Sequence, residues 1–127
     1  MAIITTSQIL HDGERNLVMQ FTGRSDGSGQ ENNVVKVDVS ELLPPCASVK
    51  IRKIPYEVSG GLVVLSWAAD ANVPFLNLSG SNIIDYSRMG GLLNGADDTA
   101  TGDILFSTLG FELNSAYSIT LEMVKKF

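Results

Sequence analysis

A chain of 127 residues can fill one hydrophobic core and leaves little room for a second, so a single domain over residues 1–127 is expected. Nine Lys and Arg against fourteen Asp and Glu give a net charge of −5, an average field that repels phosphate backbones and anionic lipid and argues against nucleic acid or a membrane surface as partner. The lone Cys46 excludes an internal disulfide, and no run nears the eighteen or so apolar residues of a membrane span.

In chain order the pattern is one of short extended runs separated by turn signals, with no segment sustaining a 3.6-residue apolar period. The N-terminal residues lack the basic and apolar regions of a signal peptide, which leads us to expect folding in the cytoplasm of a producing cell. Residues 3–10 read as a strand rich in β-branched side chains, ending at His11-Asp12-Gly13, a hairpin signal. In residues 16–22, Leu17, Met19 and Phe21 share one face and Gln20 and Thr22 the other. Residues 25–33 hold no large apolar side chain and read as a flexible loop. Val35, Val37 and Val39 then alternate with Lys36 and Asp38 as one strand, which Pro44-Pro45 ends because neither proline donates to a ladder.

Residues 48–58 change parity: Val49 and Ile51 lie on one side, Ile54, Tyr56 and Val58 on the other. A bulge near Arg52-Lys53 restores them to one face. Gly60-Gly61 reads as a turn into residues 62–68, a nearly continuous apolar run that suits a central strand, with Trp67 in or beside the core. Two short strands follow around Ser79-Gly80-Ser81; Ile104, Phe106 and Thr108 share a later face, and Tyr117, Ile119, Leu121 and Met123 the last. About eight or nine strands at this spacing predict an all-β, antiparallel β-sandwich or jelly roll.

Chemistry-bearing motifs are sparse. His11 lies beside Asp12, yet no nucleophile elbow accompanies it, and one His with one Cys cannot complete a structural zinc site. Asp97-Asp98 and Asp103, or Asp26 and Glu31, could offer oxygens to calcium, but neither loop has the spacing that wraps alternate side chains around one ion. The glycine pairs lack the strand-loop-helix setting of a phosphate loop. Lys50, Arg52 and Lys53 read as a solvated strand face. Trp67, Tyr56, Tyr86 and Tyr117 would form a sugar-stacking platform only if they left one outer face together, and three share parity with aliphatic residues. We therefore expect no enzyme activity, no cofactor and no metal.

At 44% hydrophobic and 18% charged residues, the chain is apolar for a monomer, consistent with a partner covering part of its surface. The order VVLSWAADANV, then IIDYSRMGGLLN, then TATGDILFST and a closing YSITLEMVKK resembles small all-β virion proteins of tailed bacteriophages with capsid decoration or cement roles. The resemblance covers roughly the C-terminal half, with VVKVDVSEL before it in support. It implies a virion location, contact with the major capsid protein and assembly as a homo-oligomer, a trimer being one order, with no catalytic residue to carry over. A head-tail connector or tail component, and a carbohydrate-binding module for host attachment, are the alternatives. Candidate interface residues are Met89, Leu92 and Leu93 in the glycine-rich connection, with Phe111 and Leu113 in the next turn. The same five could instead close the end of the sandwich internally.

Overall fold

The computed structural model describes residues 3–25, 27, 30–42, 44–92 and 101–126. Its strands are β1 (Ile3–Asp12), β2 (Asn16–Ser25), β3 (Val34–Val37), β4 (Ser48–Trp67), β5 (Val73–Asp85), β6 (Ile104–Leu109) and β7 (Ala116–Lys126). All pairings are antiparallel, in the order β1-β2-β7-β4-β6-β3 with β5 beside β4.

The curl of this sheet is written in β4. Its residues 48–59 pair with β7 and its residues 62–67 with β6, so one strand serves two halves of the structure. β5 follows it, with residues 80–85 along 53–58 and residues 73–78 along 63–67. Between Val58↔Gly80 and Val63↔Leu78, residues 59–62 of β4 face Ser79 alone. That mismatch bends the hairpin, and Gly60 (φ 86°) takes the left-handed backbone it requires. The result is a jelly-roll-like β-sandwich whose halves are joined by the two long strands. Gly60-Gly61 and Ser79-Gly80-Ser81 thus lie inside continuous strands rather than between separate ones, and among the described residues seven strands stand where eight or nine were expected.

The inward parity is the one the sequence predicts. Leu17, Met19 and Phe21 of β2 and Tyr117, Ile119, Leu121 and Met123 of β7 are buried, and the register slips between Ile51 and Lys53 so that Val49, Ile51, Ile54 and Val58 all reach the core. Trp67 is buried and stacks on Phe75 at 4.0 Å between centroids. The accessible surface, 6672 Å², matches the roughly 6,600 Å² expected of a compact monomer of this mass, so the exposed apolar side chains discussed below do not arise from a loose fold. Val39 departs from expectation: the strand ends at Val37, and Asp38, whose carboxylate accepts from the Ser40 N–H, caps a 3₁₀ turn at Val39–Glu41. The β1–β2 turn also sits later, since Asp12 still pairs with Leu17.

Candidate functional site

Polar side chains do structural work inside the sandwich. The Lys36 ammonium lies 2.8 Å from Glu31 Oε2, with the two side chains only 5% and 8% exposed, and the Tyr117 hydroxyl donates to Glu31 Oε1 at 2.6 Å. Burial, then the hydrogen bond and charge of Glu31, raise the Tyr117 hydroxyl far above its ordinary range. The Gln30 amide clamps Phe111, donating to its carbonyl at 2.7 Å and accepting from its N–H at 3.0 Å, while the Glu31 N–H donates to Thr108 Oγ1. Residues 30–33, expected to belong to a flexible loop, are therefore fastened to β6 and the turn after it; the tip at 26, 28 and 29 lies outside the described residues. At the far end, Lys125 is buried with its ammonium on Asp12 and the Pro44 carbonyl.

The four candidate interface residues that are described do not form one patch. Phe111 is 3% exposed and packs beside Tyr117, so it supplies core rather than surface. Leu92 is half-buried against the core and exchanges backbone hydrogen bonds with Ile51. Met89 (72% exposed) and Leu113 (66% exposed) project into solvent. Leu93 lies outside the described residues, as do Asp97, Asp98 and Asp26. Met89 follows β5 beside the end of β7, whereas Leu113 lies beside Gly27 and the start of β7.

The aromatic platform is not assembled. Trp67 and Tyr117 are buried, and Tyr56 and Tyr86 pack partly against the core. Of the calcium candidates that are described, Glu31 is committed to Lys36 and Tyr117, and Asp103 Oδ1 accepts from the Val39 N–H. Among the described residues no group of three or more His, Cys, Asp or Glu is placed to share a metal ion. His11 is exposed on β1.

Pattern reading missed two surface features. Across β7, β4 and β5 the register sets Ser118, Glu57 and Ser81 in one row, with Pro55 opposite Ile83 in the next. A shallow groove of about 510 Å³ runs over them. At the Met89 end, a cleft of about 310 Å³ is lined by Arg15, Lys50, Arg52, Ser87 and Gly90. It adjoins another of about 410 Å³ that shares Arg15 and Lys50 and adds Glu14 and Lys126. No single sequence run announces this cluster, because the β2-β7-β4 pairing assembles it.

No family model matches the chain, and no curated protein matches it. Seven solved chains do. One is the carbohydrate-binding module CtCBM11, 10% identical, with a TM-score of 0.42 over 100% of this chain and 85% of that one. Another is a cupin superfamily protein from Desulfitobacterium hafniense, 11% identical, with a TM-score of 0.26 over 95% of this chain and 73% of that one. Scores and identities this low carry no functional inference.

Proposed function

We propose that this is a non-enzymatic virion structural protein of a tailed bacteriophage, a decoration or cement protein that reinforces the head lattice through contacts with the major capsid protein and with its own copies. One observation carries the reading beyond the sequence resemblance: the exposed large apolar side chains sit where a neighbour would dock sideways. Ile9 and Leu10 lie on β1, Val34 and Val35 on β3, and Ile83 on β5, the three strands with one partner each among the described residues. Met89, Leu109 and Leu113 lie at strand ends and turns. Such edges invite pairing with another chain, and each apolar anchor covered there contributes roughly 1.5–3 kcal/mol. Repetition over a lattice multiplies weak contacts through avidity.

The test is Met89→Ser combined with Leu113→Ser. Both side chains point into solvent, so thermal unfolding should stay unchanged while co-sedimentation with purified capsids falls; normal attachment by the stably folded variant refutes these anchors. Negative-stain images of labelled particles distinguish head from connector or tail. The groove at Pro55 and Ile83, with Glu57, Ser81 and Ser118 offering polar groups, favours a second reading as a carbohydrate-binding module. In that case glycan binding survives the Met89 and Leu113 changes and disappears in Glu57→Ala.

A further inference from the structure

Arg15, Lys50, Arg52 and Lys126 are four of nine Lys and Arg residues in a chain of net charge −5, yet the fold gathers them at one end. The register explains how: Asn16 pairs with Val124 and Val124 with Lys50, so the β1–β2 turn, the end of β7 and the start of β4 meet. The Lys125 N–H donates to the Arg15 carbonyl at 2.7 Å and fixes that turn. Lys50 is held as well. Its stem lies over Gly91 (φ 99°), so closely that a Cβ there would meet Lys50 Cγ, and the Leu92–Ile51 hydrogen bonds lock the crossing segment. Neither the Lys36–Glu31 nor the Lys125–Asp12 ion pair draws on any of these four cations. Like charges gathered this closely repel one another, a cost that an anionic ligand reduces.

We infer that this end binds an acidic peptide segment of a protein partner, its Asp or Glu carboxylates seated on Arg15, Lys50 and Arg52 and a neighbouring apolar side chain resting on Met89. The inference rests on the assembly reading above and names the chemistry of the contact. Guanidinium groups match carboxylates bidentately, and the exposed Met89, one residue before the cleft-lining Gly90, is an adaptable apolar anchor. The positive field is also short. Glu14 lines the second cleft, and Glu122 and Asp85 stand in register with Lys53 just beyond. A long polyanion would run off the cluster into a chain of net charge −5, whereas a few carboxylates fit within it.

The experiment is an amide-resolved NMR titration of the full chain with a short capped peptide of alternating glutamate and leucine, its glutamine counterpart, and a short DNA duplex. The glutamate peptide should shift the amides of Arg15, Lys50, Arg52 and Gly90 with a Kd near or below about 1 mM. Raising salt from about 50 to about 500 mM should weaken it about tenfold. Arg15→Glu combined with Arg52→Glu, both exposed positions, should lose at least about tenfold in affinity with thermal unfolding unchanged. No shift at these amides, equal binding of the glutamine peptide, or tighter binding of DNA overturns the inference. Co-sedimentation of wild type with capsids separates the two readings. Peptide binding without capsid attachment sinks the assembly reading alone, and attachment without peptide binding sinks the acidic segment alone.

Discussion

Replacing Lys36 by Met removes one partner of a buried ion pair while keeping most of the stem's volume. The Glu31 carboxylate, 8% exposed, would retain the Tyr117 hydroxyl but lose its counter-charge. Stranding a buried charge costs about 3–5 kcal/mol. For a domain of 127 residues, the unfolding entropy is about 270 cal/mol/K, so each kcal/mol moves the midpoint by about 4 °C and the expected fall is about 11–19 °C. Removing both charges, with Glu31→Gln added, leaves an amide that can still accept from Tyr117 and should cost less than Lys36→Met alone. Calorimetry and urea unfolding of both variants read this directly. A single-variant cost below about 1 kcal/mol, the range of a solvated surface pair, or a double variant no better than the single, would refute the claim that this pair is shielded and fastens residues 30–33 to the sandwich.

Tyr117 links the same cluster to pH: its folded-state pKa lies above the ordinary 10.0, so above about pH 10 the unfolded chain holds fewer protons than the folded one and stability falls as pH rises. Tyr117→Phe should flatten this alkaline limb in urea unfolding, and an unchanged pH profile would exclude Tyr117 as its source. The Cys46 thiol, raised from 9.0 chiefly by burial, contributes in the same direction and is separated by Cys46→Ser. Two glycines test the backbone. Gly80 (φ 76°) has open space where a Cβ would go, so Gly80→Ala should cost only the left-handed penalty of about 1–2 kcal/mol. Gly102 (φ 91°) would place its Cβ into the Ala47 carbonyl, so Gly102→Ala should cost clearly more; equal costs would show that the segment at Ala47 yields.

The strands legible in the sequence are those whose alternation is a direct record of burial. β2 and β7 face the core at every second residue, and the change of parity at Arg52 could be read as a bulge because one extra residue inverts every side chain after it. Gly60-Gly61 misled because a glycine pair looks the same whether it reverses the chain or lets a continuous strand bend between two neighbours, and only the change of partner from β7 to β6 tells them apart. Val39 misled because alternation ran on past the point where Asp38 caps a 3₁₀ turn. Gln30 and Glu31 read as free loop residues because polarity alone does not show that Phe111 ties down the exposed Gln30 or that Lys36 accompanies Glu31 into a buried site.

Surface organisation was less legible, since it depends on which strands lack a neighbour and which ends meet. Ile9 and Leu10 sit at a register shift where Leu10 has no residue opposite it, and both are exposed on a strand that pairs with β2 alone among the described residues. Residues close in sequence can serve different ends: Phe111 is core, while Leu113, two positions on, is solvent-facing. Residues far apart can serve one: Arg15, Lys50 and Lys126 converge only through the β2-β7-β4 register. The cationic cleft with Met89 lies at the Val124 end of β7 and Leu113 beyond its Ala116 end, a separation of roughly 26 Å along the strand. Two unlike contact ends so far apart cannot close on one small epitope of a single neighbour. On the proposed assembly reading they suit a protein that bridges two adjacent subunits, with carboxylates taken at one end and apolar surface at the other, and this is how a small domain would add stiffness to a lattice.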